Sequence, residues 1–467
     1  MIRSDTTICA PATCHGGAIS IIRISGPESY SICAKIFFPS DRNTRLSQVS
    51  GFKIVHGEIR SGDEIIDDVL LSVFRSPNSY TGEDTAEISC HGSAYIVTRI
   101  LRLLVSHGAV AAHPGEFTQR AFLNGKMDLS QAEAVSDLVS SGSRAAHKLA
   151  MNQMRGGFSS EIAKLRSELL RFVSLIELEL DFGEEDVEFA DRNELRSIIL
   201  KVMDITGRLA SSFRLGNAIK NGIPVAIVGK PNSGKSTLLN ALLNDERAIV
   251  SEIPGTTRDV IEDTIIINGL EYRFIDTAGL RDTSDKIESM GIMKTNEKIM
   301  KAEVILMVDE VSESPSLINK RADYLREMIS NSGKKLMILI NKIDESDRNS
   351  VDAIKEKVVL KGNDSLLFIS AKNLTGLADL QSGIGNAIES GRIDQEDVII
   401  SNLRHFEALQ SVSGSLERVL SGFDENLPED LIATDIRQAI HYLGEITGEI
   451  TTDEILSNIF RNFCIGK

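Results

Sequence analysis

The 467 residues are 42% hydrophobic and 25% charged, ordinary globular values, and the length suits several domains of roughly 150 residues each. A formal net charge of −16 excludes a bulk basic field that would draw in nucleic acid, so any RNA contact needs a local patch or a partner. The five cysteines (9, 14, 33, 90 and 464) are odd in number and scattered, which does not suit a disulfide framework and fits a reducing compartment.

Cys9, Cys14 and His15 lack the CxxC spacing and second ligand pair of a zinc site. The start "MIRSDTTICA" has no apolar run of signal-peptide length, and no segment approaches the roughly 18 apolar residues of a membrane span, so a cytoplasmic location is expected. The ending "CIGK" fails as a prenylation box, because Gly466 and Lys467 fill its last two places and no polybasic segment precedes it.

Residues 1–120 mix strand-like runs ("AISIIRIS", "DDVLLSVF", "DTAEISC") with turns such as "SPNSYTGED" and one helical stretch around 94–107, the texture of an α+β domain. At "KMDLSQAEAV" the period-two alternation stops, and Ser130 with Glu133 reads as a capping box opening a helical region, residues 121–221. Phe158, Ile162, Leu165, Leu169, Phe172 and Ile176 recur at the three- and four-residue spacing of a packed helix seam. The acidic break "DFGEEDVEF" and the later series Leu195, Ile199, Val202 and Leu209 predict an antiparallel helix pair joined by a solvated loop.

Residues 222–384 alternate apolar strands with amphipathic helices through "PVAIVG", "YRFIDT", "VILMVD", "LMILIN" and "LLFIS", which predicts a largely parallel, doubly wound sheet. Helices return in 385–467. Two helical stretches flanking a self-contained α/β segment imply a discontinuous all-α domain with the α/β unit inserted.

Chemistry concentrates in the inserted segment. "GKPNSGKS" (229–236) follows a strand and opens a helix, as a P-loop requires, with Lys235 for β/γ-phosphate oxygens and Ser236 for Mg²⁺. Asn232, Ser233, Gly234 and Thr237 complete the candidate contacts of this loop. "DTAG" (Asp276, Thr277, Ala278, Gly279) ends a strand, with Asp276 near the Mg²⁺ shell and the Gly279 amide near the γ-phosphate. "NKID" supplies Asn341, Lys342 and Asp344, a buried carboxylate suited to the two donors of guanine and not to adenine, which predicts GTP. "SAK" (Ser370, Ala371, Lys372) closes the set, with the Ala371 amide for the guanine carbonyl oxygen.

Between the first two motifs lies "SEIPGTTRD", a switch loop with candidate contacts Ser251, Glu252, Ile253, Pro254, Gly255, Thr256 and Thr257. Thr257 is the natural second Mg²⁺ ligand, and Thr256 has an equal claim on spacing. Leu280, after "DTAG", stands where many regulatory GTPases place a water-orienting glutamine, and an apolar side chain cannot orient water.

With "GTTRD" and the terminal "FCIGK", the set resembles the MnmE (TrmE) family of tRNA-modification GTPases over the whole chain. The resemblance implies a folate-binding, dimerising α+β domain (1–120), a discontinuous helical domain (121–221 and 385–467) and an inserted Ras-like G domain (222–384). It implies GTP hydrolysis coupled to the addition of an aminomethyl or carboxymethylaminomethyl group at C5 of the wobble uridine of certain tRNAs. Implied partners are a second copy, an MnmG-type flavoprotein carrying FAD in a heterotetramer, and tRNA, with neither DNA nor membrane.

Carried over by motif, Asn232 with the loop carbonyls of Ser251, Ile253 and Thr256 would hold a K⁺ ion that replaces an arginine finger. Glu288, in "SDKIESMG", would orient the water that Leu280 cannot, and Lys235 would stabilise charge. Arg23, Glu87, Lys126 and Lys467 would bind 5,10-methylenetetrahydrofolate or its 5-formyl analogue, with cations for the glutamate tail and a carboxylate for the pterin, beside Cys464 as a candidate catalytic thiol. Ile455, Ile459 and Phe463 would anchor that tail. The alternative is a ribosome-assembly-type GTPase switch, which shares the G motifs and needs neither the folate residues nor the "FCIGK" ending.

Overall fold

The computed structural model describes residues 5–14, 16–181, 192–246, 263–275, 296, 299–330, 333–387, 398–425, 427–461, 463–464 and 466. The chain divides into two compact units, one of Met1–Ser140, Ala150–Ala210 and Arg404–Lys467, the other of Ser141–Leu149 and Ser211–Leu403. Among the described residues no helix is long and apolar enough to cross a membrane.

The first unit begins with seven strands: β1 (Ile8–Pro11), β2 (Ile19–Ser25), β3 (Phe37–Pro39), β4 (Lys53–Ser61), β5 (Glu64–Phe74), β6 (Thr85–His91) and β7 (Val110–Ala111). They form one sheet in the order β3-β4-β5-β6-β2-β1-β7, antiparallel except for the β1–β7 pair. Alternation sends Ile22, Ile24, Leu71, Val73 and Ile88 to one face, which is fully buried under helices Ser29–Ile36 and Ala94–Ser106. The opposite face carries Arg23 and Glu87, directly paired across β2 and β6. Helices Ser29–Ile36 and Glu116–Leu123 were not legible in the sequence; each has only eight residues, too few to show a period above the neighbouring turns.

The helix opening at Leu129 corrects the expected capping box. Asp128 Oδ1 accepts from the Gln131 amide at 2.9 Å while Gln131 Oε1 accepts from the Asp128 amide at 2.9 Å, so the reciprocal pair lies two residues earlier than Ser130 and Glu133. Ser130 instead meets Ser159 at 2.8 Å. The seam from Phe158 to Ile176 is buried along helix Gly157–Asp181, as are Leu195, Ile199, Val202 and Leu209 along helix Arg192–Asn221. Ion pairs Arg171–Glu194 (3.5 Å) and Glu168–Lys201 (3.0 Å) run in opposite residue order on the two helices, which makes the pair antiparallel. Most of the acidic connection, 182–191, lies outside the described residues.

The second unit is built on six strands: β8 (Ile223–Val228), β9 (Asp263–Ile267), β10 (Leu270–Phe274), β11 (Val304–Glu310), β12 (Lys335–Asn341) and β13 (Ser365–Phe368). Their order is β13-β12-β11-β8-β10-β9, parallel except for the β9–β10 hairpin. That hairpin turns on Asn268 and Gly269, both at positive φ, the two-residue turn whose twist matches its strands. In β11, Val304, Leu306 and Val308 join one core layer while Ile305 and Met307 join the other. A strand buried on both faces reads as a continuous apolar run, which is why "VILMV" identified it.

Glu133 is the charged centre of the helical part of the first unit. Its carboxylate takes Arg404 Nε at 2.9 Å, Arg404 Nη2 at 3.0 Å and His405 Nε2 at 2.7 Å, with His405 fully buried. Burial pushes this carboxyl up, but the charges and hydrogen bonds of His405 and Arg404 outweigh burial and lower it to about 2. A carboxyl depressed in the folded state adds stability above its unfolded value, roughly 4.3, and loses that contribution as pH falls toward its folded value. Glu133→Gln is therefore expected to cost about 3–5 kcal/mol near pH 7, because it removes the buried carboxylate that answers Arg404 and the buried His405. Urea titrations should show the gap to wild type narrowing between roughly pH 4.3 and about 2; a gap independent of pH would refute the ionic account.

Candidate nucleotide site and carboxyl-terminal seat

Strand β8 ends at Val228, and the next six residues turn sharply into helix Lys235–Glu246. The turn demands its glycines. Gly229 has φ +154° and a Cβ there would lie 2.2 Å from Val308 O; Gly234 has φ +92° and a Cβ would lie 2.2 Å from Asn341 Nδ2. Asn232 holds a left-handed φ of 63°, rare for a residue with a side chain.

Within this loop Lys235 Nζ donates to Gly229 O at 2.9 Å and Lys230 O at 2.5 Å, and burial lowers its pKa. Ser233 is buried, and its hydroxyl has no hydrogen-bond partner among the described residues. Ser236 is half-buried and Thr237 exposed at the start of the helix.

Asn341, the last residue of β12 and 2% exposed, joins two loops. Its Nδ2 donates to Ser233 O at 2.9 Å and its Oδ1 accepts from Ala371 N at 3.0 Å. The P-loop after β8 and the "SAK" turn after β13 are thus fastened to one side chain at the end of β12, on the edge of the parallel sheet where open α/β sheets bind ligands. Lys342 follows at φ 63°, its Nζ 2.6 Å from Glu310 Oε1. Asp344, expected to be buried, is exposed because it sits on a short 3₁₀ turn beyond the strand; the Ser370 hydroxyl beside it holds its carboxyl below the usual range. Lys372 is exposed. The expected contacts at 251–257, Asp276 through Gly279, Leu280 and Glu288 lie outside the described residues.

The first unit brings together most of the other candidate set. Arg23 Nε donates to Glu87 Oε1 at 2.9 Å and its Nη1 to Gly466 O at 3.3 Å. Its guanidinium lies 5.1 Å from the Tyr80 ring centre and 5.6 Å from that of Phe117. The candidate cation and the candidate carboxylate thus meet each other in one ion pair. Lys126 Nζ reaches Pro77 O at 3.0 Å, on the loop that carries Tyr80. Lys467 lies outside the described residues.

The tail is seated by close backbone approach. Gly466 has φ +95°, and a Cβ there would fall 2.0 Å from Pro11 O. Cys464 is exposed, with its carbonyl accepting from Gly115 N at 3.4 Å. The anchor matches expectation in part: Phe463 is buried against Leu129 and Ala132 and Ile459 packs on the same cluster, but the helix residues buried there are Leu456 and Phe460, and Ile455 is only partly covered. Helix Asp453–Phe460 is rotated by one residue relative to the predicted face. Tyr80, Phe117 and Gly115 were missed because aromatic residues and a glycine in a mixed segment announce no partner at such sequence distance.

A largely parallel sheet, a glycine-constrained turn into a helix and a buried asparagine linking that turn to the Ala371 loop define a P-loop nucleotide-binding protein. Family models agree over nearly the whole chain: the MnmE helical domain matches residues 129–464 and the GTP-binding protein TrmE N-terminus matches residues 7–126. The tRNA modification GTPase MnmE of Bacteroides thetaiotaomicron is 50% identical over 467 residues, covering 99% of this chain and 100% of that protein. That of Flavobacterium psychrophilum is 50% identical over 469 residues, covering 100% of both. The chain belongs to the MnmE (TrmE) family, and its fold is the multidomain one of an N-terminal TrmE domain, a helical domain and a P-loop G domain.

The tail seat gives a direct test. Gly466→Ala is expected to displace Gly466 from Pro11 and Cys464 from Gly115, seen as faster hydrogen exchange at the Gly115 amide with protection in β11 and β12 unchanged. Equal exchange at Gly115 in both proteins would show that the seat tolerates a side chain.

Proposed function

We propose that this chain is a GTPase acting in tRNA modification, with residues 229–236, 341–344 and 370–372 forming its guanine-nucleotide site. The observation that carries the reading is Asn341, which holds the P-loop and the Ala371 turn in one arrangement. The loop residues fit a phosphate group: glycines stand where any Cβ would intrude, and the Ser233 hydroxyl is buried without a protein partner among the described residues. Lys235 would meet the β/γ oxygens, Ser236 with Thr257 would hold Mg²⁺, and Asp344 would read guanine. Mg²⁺ and K⁺, when bound, supply charge neutralisation on the phosphates, K⁺ through Asn232 and the carbonyls of Ser251, Ile253 and Thr256. Glu288 would orient the attacking water.

The Arg23–Glu87 pair, Lys126 and Lys467 are the candidate folate contacts, with Cys464 two residues from the carbonyl that Arg23 holds. Strand register sets Ile54, Ser72, Glu87 and Arg23 in one row across β4, β5, β6 and β2, with Leu70 on the same face beside them. Ile19, Ile54 and Leu70 are exposed there. An open sheet face that is partly apolar suits a second copy of the chain, and this supports a homodimer. With an MnmG-type flavoprotein carrying FAD, the assembly would use a one-carbon folate to modify C5 of the wobble uridine in the cytoplasm. The ribosome-switch reading leaves this face and the seated tail without a role.

Mass spectrometry of tRNA nucleosides from cells lacking the protein is expected to show the wobble uridine unmodified at C5; full modification would overturn the reading. Purified protein is expected to hydrolyse GTP about tenfold or more faster in K⁺ than in Na⁺ at equal ionic strength, since the ion must supply what an arginine finger supplies elsewhere. Equal turnover would remove K⁺ and leave the tRNA assignment standing.

A further inference from the structure

The segment "DEVSE", residues 309–313, leaves the end of β11 between the two motifs that grip nucleotide, and all three of its carboxylates are engaged. Glu310 Oε1 lies 2.6 Å from the ammonium of Lys342 in the guanine motif. The next amide, Val311 N, donates to Asn341 O at 3.0 Å, so main chain and side chain both hold that motif. Glu313 Oε2 pairs with the ammonium of Lys230, the second residue of the P-loop. Behind this pair, Arg321 Nη2 reaches Glu313 Oε2 at 3.2 Å and Asp309 Oδ1 at 2.7 Å.

Burial anchors one end of this arrangement, at Asp309 and Glu313, while Lys230 stays 50% exposed and Lys342 and Glu310 are 30% and 32% exposed. The Asp309 side chain is 1% exposed, Glu313 15% and Arg321 25%. Exposed pairs contribute little, whereas a network anchored on a buried charge has a fixed geometry. The Lys230 carbonyl is also one of the two oxygens that receive Lys235 Nζ. Wherever Glu313 holds Lys230, it holds one of the seats of the phosphate-binding lysine.

We propose that residues 309–313 are a strap of counter-charges that positions the nucleotide site, Glu313 acting on the phosphate loop through Lys230 and Glu310 on the guanine motif through Lys342. The proposal rests on reading 229–236 and 341–344 as the GTP site. Both glutamates are positioning residues, since each acts through a lysine. They act on different parts of one ligand, and that difference separates positioning from mere folding support.

The test measures dissociation constants of the full chain for GDP and GMP by competition with a fluorescent GDP analogue. Glu313→Gln is expected to weaken GDP by about three- to tenfold while leaving GMP within about twofold, because GMP lacks the β-phosphate that Lys235 meets. Glu310→Gln is expected to weaken GDP and GMP by the same factor, because it acts on the base side. Lys230→Met and Glu313→Gln should be non-additive, the double variant losing no more GDP affinity than the worse single one. Thermal unfolding midpoints identify any variant that fails to fold, in which case Lys230→Met alone must reproduce the GDP-selective loss. Unchanged GDP affinity, equal losses for both ligands in Glu313→Gln, or additive losses would each overturn the strap. Failure of the wild-type chain to bind GDP would instead overturn the reading of the site itself.

Discussion

The nucleotide unit depends on one buried carboxamide. Asn341 uses its amide nitrogen as donor and its amide oxygen as acceptor toward backbone groups of different loops: the Ser233 carbonyl and the Ala371 amide. Neither loop is a helix or a full strand, and the Ala371 turn has only a single Ser370–Thr375 bridge of its own among the described residues. An amide with both partners satisfied in a dry place is stiff, because breaking either bond leaves a buried polar group unpaired at a cost of about 1–3 kcal/mol. The parallel sheet makes this possible by ending β8 and β12 on the same side, with β11 between them.

The first unit solves a similar problem with a cation. Arg23 has donors for both Glu87 and the Gly466 carbonyl, and its flat guanidinium lies among the rings of Tyr80 and Phe117. A lysine could not serve four partners in fixed directions. The tail, whose described residues past Phe460 lie in no helix or strand, is therefore held by a side chain from β2, by Phe463 in an apolar cluster, and by a glycine that lets two backbones touch.

Legibility in the sequence followed period and spacing. Strands buried on both faces, such as β11 and β12, declared themselves as apolar runs, and the seam from Phe158 to Ile176 declared a helix, because burial imposes those patterns directly. The P-loop was legible because its chemistry needs particular residues at fixed intervals. What was not legible involved choices among near-equivalent local partners. Ser130 with Glu133 and Asp128 with Gln131 both satisfy the spacing of a capping box, and only tertiary structure, which takes Glu133 for Arg404 and His405, decides between them. Helix Asp453–Phe460 offers apolar residues on more than one face, so the buried one followed from what lay opposite. The Lys230–Glu313 and Lys342–Glu310 pairs join residues 83 and 32 positions apart, beyond any local signal.

The charges around the P-loop show how such a site is kept ready. Burial lowers the pKa of Lys235, so its ammonium is costly where it stands, and the Gly229 and Lys230 carbonyls hold it only with dipoles. Lys230 and Lys342, the other cations of the two motifs, are by contrast already neutralised by full carboxylates. An incoming polyphosphate thus meets one desolvated cation that gains most from its charge, among others whose charge is already answered. Attraction between opposite charges rises as water is removed, so an anion that reached this loop would gain most at Lys235, the cation that burial leaves least compensated.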